Sequence, residues 1–202
     1  MRKVDPVKYE GRRGEILAAA ERCFARGGFH GATIAQICDE AGISPGHLYH
    51  YFAGKEAIIG AITSAGLEYV RARFAELAED QDPIQALVAE LERLKALNRT
   101  KSGVLLDVLA EAARNPMIGK VLQDTSEEMR QLLAEFLRRA QAHGRIDPDL
   151  DADAASALLI SMIDSTKTLL IRAPDLDPNR SADVLGKMIT RFLSPPGAVS
   201  GC

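Results

Sequence analysis

The residues of this chain whose types could do chemistry are few, and most are scattered. Histidines stand at His30, His47, His50 and His143, cysteines at Cys23, Cys38 and Cys202, and acids pair at Glu127-Glu128 and at Asp107 with Glu111. No Ser-His-Asp order, metal-ligand pair or Gly-rich phosphate loop joins them. An odd cysteine count without C-x-x-C spacing argues against a disulfide framework and against a zinc site. Cys23 and Cys38 fall on apolar helix faces and read as reduced thiols packing as small hydrophobes, with no cation placed beside either. The acid pairs read as solvated or ion-paired. No catalysis, cofactor or metal is therefore expected. The dense cluster is elsewhere, in Pro45-Gly46-His47-Leu48-Tyr49-His50-Tyr51-Phe52 with Lys55 following. Polar and aromatic groups on a segment too short for a core of its own suit contact with DNA.

The elements that would position this cluster are legible over Ile34–Lys55. Ile34, Ile37, Cys38 and Ala41 recur at helical spacing and make one apolar face. Gly42 supplies the left-handed geometry that ends a helix. Ser44 is a good N-cap for the next helix, and Pro45 fits its first position, where no amide hydrogen is needed. Leu48 and Phe52 face inward at i, i+4, which leaves Gly46, His47, His50 and Tyr51 outside and Tyr49 at the edge. The pattern reads as a helix-turn-helix whose second helix enters the major groove. Thr33 caps the first of the two helices, and its hydroxyl with the free amides behind it offers an anion site. Lys55 opens a helix, where its own charge is slightly disfavoured, so a phosphate partner would suit it. Among Pro45, Gly46 and His47, the side chain of His47 alone can hydrogen-bond a base edge, so direct readout is sparse and shape or thymine-methyl contacts carry the remainder.

These residues also carry a resemblance. Thr33-Ile34, Ala41-Gly42-Ile43-Ser44, Gly46-His47-Leu48-Tyr49-His50-Tyr51-Phe52 and Lys55-Glu56 resemble the DNA-binding signature of the tetracycline-repressor (TetR) family, over about Ile16–Ile59. The resemblance implies base contacts by Pro45, Gly46 and His47. It implies phosphate contacts by Thr33, Ser44, Tyr49, His50, Tyr51 and Lys55.

The 202 residues suffice for one sizeable core, or one core with a small appended domain. The composition is 47% hydrophobic and 26% charged, with no tryptophan, no apolar run of membrane-spanning length and no signal-peptide h-region. Net charge is −3, but it is unevenly spread: residues 1–56 hold 8 Lys/Arg against 7 Asp/Glu, and the remainder 17 against 21. The DNA-binding end is thus the less acidic one.

No strand pattern stands out, and the chain reads as all-α with about nine helices. Residues 1–6 read as a mobile arm, and a first helix as Val7–Arg26, stopped by Gly27-Gly28. Arg12 and Arg13 near its start could reach DNA or lie on a solvated face. A long helix over Lys55–Glu79, with Ile58, Ile62, Ala65 and Tyr69 as its inner stripe, would connect two lobes. Further helices follow over Pro83–Asn98, Ser102–Arg114, Pro116–His143, Ala152–Arg172 and Arg180–Leu193. Ala152–Arg172 is apolar nearly all round and so needs partners on both sides. The expected domains are residues 1–54 for DNA binding, 55–194 for effector binding and dimerisation, and 195–202 as a disordered tail.

The resemblance implies a homodimer in which the last two long helices form a four-helix bundle with those of a second subunit. Leu159, Ile163, Leu170, Leu185, Met188 and Phe192 would then lie in the dimer interface. It also implies a distal effector pocket, for which Asn98, Asp107, Glu111, Asp164 and Lys167 are the polar candidates and Met117, Met129 and Phe136 the adaptable walls. Asp164 and Lys167, three apart on one helix, could equally pair with each other. The function it implies is a cytoplasmic, ligand-responsive repressor that binds a palindromic operator and leaves it when an unidentified small molecule binds. A regulator without an effector, or an activator, are the alternatives.

Overall fold

The structure, a computed structural model, describes residues 5–77, 80–98 and 102–197, and their side chains apart from those of 94–98, 102–106, 167, 170 and 171. Among the described residues there are nine helices and no strand. They are α1 (Pro6–Gly31), α2 (Ile34–Ala41), α3 (Pro45–Tyr49), α4 (Lys55–Leu77), α5 (Pro83–Asn98), α6 (Ser102–Ala112), α7 (Pro116–Ala142), α8 (Ala152–Arg172) and α9 (Pro178–Leu193). The chain divides into two compact units, and the divisions fall inside α4 after Gly66 and inside α7 after Thr125.

The first unit runs to Gly66 and takes in α6 with α7 as far as Thr125. Asp5 and Pro6, expected in a mobile arm, begin α1 instead: the Asp5 carboxylate accepts from the Val7 amide at 3.1 Å, and Pro6 takes the first turn. Residues 1–4 of that arm lie outside the described residues. Ile16, Ala20, Cys23 and Phe24 of α1 meet Ile37 and Cys38 of α2, Leu48 of α3, Phe52 and Ile58 in one core. Gly28 breaks the helix at φ 68°, which turns Phe29 back into that core. The same position lies against α6, where a Cβ would collide with the Asp107 carboxylate.

The second unit is built on Leu77, Ile84, Leu87, Leu133, Phe136, Leu137, Ile146, Leu159, Ile189 and Leu193. Gly186 lets α9 approach α5 so closely that a Cβ would stand 3.1 Å from Val88 Cγ1. The one deeply buried acid of α5, Glu90, accepts from the Tyr69 hydroxyl at 3.2 Å and from Arg73 and Arg93 at 3.1 and 2.7 Å. A carboxylate this buried is tolerated because it is fully partnered. Turning into α8, the Gln141 amide donates to the carbonyls of Asp147 and Leu150, and Asp151 caps the helix.

Several expected positions change. Ala65 and Tyr69 do not continue the buried stripe of α4; Ile58, Ile59 and Ala61 enter the first core while Phe74 and Leu77 join the second. A helix that serves two cores need not keep one face. Leu159, expected at a dimer interface, is 1% exposed inside its own core, and Leu185 also packs against that core. Leu158 and Val184 are exposed in their place, with Met188 and Phe192 exposed as expected. Ile163 is half-buried, and the side chain of Leu170 lies outside the described residues. Of the expected disordered tail, 195–197 form a turn after α9 and 198–202 lie outside the described residues.

Candidate nucleic-acid interface

Residues 33–52 fold locally as their types dictate. Thr33 and Gln36 make a reciprocal capping box at α2: the Thr33 hydroxyl accepts from the Gln36 amide at 3.2 Å, and Gln36 Oε1 accepts from the Thr33 amide at 2.8 Å. Gly42, at φ 63°, is the left-handed residue that closes α2. Ser44 Oγ accepts from the His47 amide at 3.3 Å, and Pro45 opens α3. Leu48 and Phe52 are buried, so a five-residue helix is held to the core by two anchors.

That anchoring leaves Ser44, Pro45, Gly46, His47, Tyr49 and His50 exposed and Tyr51 half-buried. Tyr49 is 57% exposed, a large aromatic surface with no place in the core. A Cβ on Gly46 would meet nothing of the protein within 4 Å. Intramolecular packing therefore does not require glycine there. Thr33 is also exposed, but its hydroxyl already serves the cap.

An ionic clamp fixes α2 against α1. Arg22 and Arg26 reach the two Glu40 oxygens at 2.6 and 2.5 Å. The hydrogen bonds from Arg22 and then Arg26 hold the Glu40 carboxyl below its ordinary range. Arg26 also stands 3.5 Å from Cys23 Sγ, a cation beside one thiol that no sequence pattern had placed there. That thiol is buried and donates to the Gln36 carbonyl. Burial pushes the Cys38 thiol up, and Asp39 adds to the effect.

Lys55, which the resemblance places on phosphate, is also engaged within the protein. Its ammonium donates to the Phe29 carbonyl at 2.7 Å and lies 4.6 Å from the centre of the Phe29 ring, completing the turn that ends α1. Lys55→Ala is accordingly expected to cost about 1.5 kcal/mol, the low end for a half-exposed charged hydrogen bond, and to leave the salt slope of DNA binding unchanged. Thermal melts and salt titrations check both. A slope lower by about 1 would return Lys55 to the phosphate contacts.

Of the eight residues expected to line an effector pocket, Asp107, Glu111 and Met117 belong to the first unit, and Met129, Phe136 and Asp164 to the second. Asp107 and Glu111 belong to the first unit because α6 packs on α1. Glu111 is 6% exposed, and His30 Nε2 lies 2.5 Å from its Oε2, close enough for an ion pair, although among the described residues no directional hydrogen bond reaches that oxygen. In the second unit a depression of about 120 Å³ is lined by Arg71, Phe74, Ala75, Leu132, Glu135, Phe136 and Arg139. Of the candidates it includes Phe136, whose ring stacks on Phe74 with centroids 5.7 Å apart. Met129 is half-buried and Asp164 exposed, neither lining it; the Asn98 and Lys167 side chains lie outside the described residues.

A short exposed helix, capped at its start and carried on a two-anchor brace behind a left-handed glycine turn, defines a helix-turn-helix DNA-binding protein. Residues 16–62 match the bacterial regulatory proteins of the tetR family, and residues 70–194 match the BetI-type transcriptional repressor C-terminal family. The chain belongs to the TetR family and is a transcriptional repressor, not an enzyme. It is 34% identical over 150 residues to the HTH-type transcriptional regulator UidR of Escherichia coli K12, covering 74% of this chain and 76% of that protein. The structure of Salmonella enterica GusR superposes with TM-score 0.79 at 29% identity, covering 96% and 99% of the two chains. Bacillus subtilis FadR, solved in complex with stearoyl-CoA, shares the fold with TM-score 0.71 at 19% identity, covering 89% and 98%. Among the described residues no helix is long and apolar enough to cross a membrane.

Proposed function

We propose that this repressor binds a palindromic operator as a homodimer and is released from it by a small molecule. The observation that carries the dimer is an unpartnered apolar stripe. Val184, Met188 and Phe192 recur every four residues along one face of α9 and are 51%, 52% and 41% exposed, and Leu158 of α8 is 59% exposed. Large apolar side chains repeated along a face mark an interaction surface. A second copy of the same chain would cover it through a two-fold interface, which presents two copies of α3 and so calls for inverted half-sites. Pro45, Gly46 and His47 would approach base edges, while Ser44, Tyr49, His50 and Tyr51 would hold phosphates, with Thr33 beside them at the start of α2. Residues 1–54 would form the DNA-binding domain and 55–194 the effector-binding and dimerisation domain.

Release by an effector is supported by family membership and by FadR, a protein of the same fold bound to stearoyl-CoA. Binding would favour a spacing of the two α3 helices that no longer fits the grooves. The small molecule recovered with the native protein, identified by mass spectrometry, is expected to raise the melting temperature and weaken operator affinity together, because linkage ties the two. A second reading is a repressor with no small-molecule effector. A recovered molecule that stabilises the protein and leaves operator affinity untouched would decide for that reading.

A further inference from the structure

Tyr51 is half-buried although it follows a helix whose outer face is otherwise exposed, and the residue that covers it comes from α1. The Tyr9 ring stacks on the Tyr51 ring, with centroids 4.7 Å apart and planes 28° from parallel. His50 stands edge-on to both rings, 6.3 Å from Tyr9 and 5.5 Å from Tyr51, and His47 lies 5.5 Å from Tyr51. Four residues on, the Arg13 guanidinium sits 5.3 Å from the centre of the Phe52 ring. Positions i and i+4 share a helix face, so one face of α1 grips two consecutive residues just past the end of α3. Asp5 and Pro6 fix where that face begins, since they start the helix one turn before Tyr9.

We infer that Tyr9 is a positioning residue for DNA recognition, acting through Tyr51. α3 has five residues, and one turn of helix cannot hold aromatic side chains outside its own span in one rotamer. With one face of Tyr51 covered by Tyr9, and His50 against its edge, the ring has one orientation before DNA arrives. His47, the residue placed for a base edge, is in ring contact with the same tyrosine. The first turns of α1 thereby become part of the reading surface without carrying a reading residue. The inference rests on the assignment of α3 as the recognition helix.

The test uses the full-length protein, a duplex that the wild-type chain selects from a randomised pool, and a scrambled duplex of equal length. Tyr9→Leu keeps apolar cover without a ring, and Tyr9→Phe keeps the stack without a hydroxyl. Tyr9→Leu is expected to lose about three- to tenfold affinity for the selected duplex, the size of one aromatic pair. It is expected to change less on the scrambled one, where the base contact of His47, held through Tyr51, is not made; a phosphate contact by Tyr51 itself adds only a smaller loss common to both duplexes. The salt slope should stay as in wild type. Tyr9→Phe should retain wild-type affinity, and the ring resonances of Tyr51 and His47 should move in Tyr9→Leu and hold in Tyr9→Phe. Equal losses in the two variants, equal losses on both duplexes, or Tyr51 resonances unmoved in Tyr9→Leu would each overturn the inference. A wild-type chain that enriches no sequence would remove the recognition-helix assignment itself, a failure distinct from that of Tyr9. Thermal melts of both variants show whether a loss of binding reflects a loss of fold; Tyr9→Leu losing affinity only in proportion to its unfolded fraction also counts against the proposal.

Discussion

Replacing Gly46 with leucine is expected to abolish specific DNA binding while leaving the protein at least as stable as before. A Cβ at this position meets no protein atom within 4 Å, so the new side chain projects outward from α3 and disturbs no packing. Leucine is also the better helix former, by up to about 1 kcal/mol. Against DNA the outcome reverses on the proposed placement of Gly46 at base edges, because a position close to the groove floor cannot accept four extra carbons. Overpacking costs about 1–3 kcal/mol per site, and two half-sites double it. The expected loss is therefore about a hundredfold or more. Melting curves and titrations on the selected duplex measure the two halves of the claim. Affinity within about twofold of wild type would show that Gly46 does not face DNA.

Charge on the α9 stripe should have an equally large effect by another route. Met188 is 52% exposed in the single chain, so Met188→Asp leaves the protomer fold in place. In a two-fold interface it would bury two unpaired carboxylates, each costing about 3–5 kcal/mol. Sedimentation should then show monomers at micromolar concentration and a loss of operator binding, with helix content retained. Leu159→Asp is the contrast. Its side chain sits in the core of its own subunit at 1% exposure, and it should unfold that unit rather than split a dimer. A Met188→Asp protein that remains as dimeric as wild type would place the interface elsewhere.

The contrast between Leu159 and Met188 shows where sequence reasoning holds and where it fails. The turn and its two helices were legible because their signals are local: Gly42 closes α2, Ser44 and Pro45 start α3, and Leu48 with Phe52 anchor it. α9 was legible because its apolar positions keep a phase, although Leu185, expected at the interface, packs on its own core and Val184 is exposed beside it. α8 is apolar nearly all round and has no phase to read, so the pattern could not say that Leu159 faces inward and Leu158 outward. α6 was placed in the distal half because its contact with α1, through Asp107 at Gly28 and Glu111 at His30, joins residues some eighty apart. Nothing local to α6 signals that partner. Tyr9 was missed for a simpler reason. The face that begins at Ile16 and Ala20 continues back through Arg13 to Tyr9 at helical spacing, but its polar members do not register as a stripe. Read as an amphipathic face with aromatic and cationic ends, it could have been found.

The central claim is that α3 reads DNA sequence and that His47 is its reading side chain. Selection from a randomised duplex pool, run in parallel with wild type and His47→Ala, tests it most directly. Wild type is expected to enrich inverted half-sites with centres one helical turn, about 34–36 Å, or a wider multiple apart. His47→Ala is expected to lose about 1–3 kcal/mol on that duplex and to relax one base position in each half-site, symmetrically. A His47→Ala protein that enriches the same sequence, and loses affinity equally on selected and scrambled duplexes, would make His47 a phosphate contact and contradict the account.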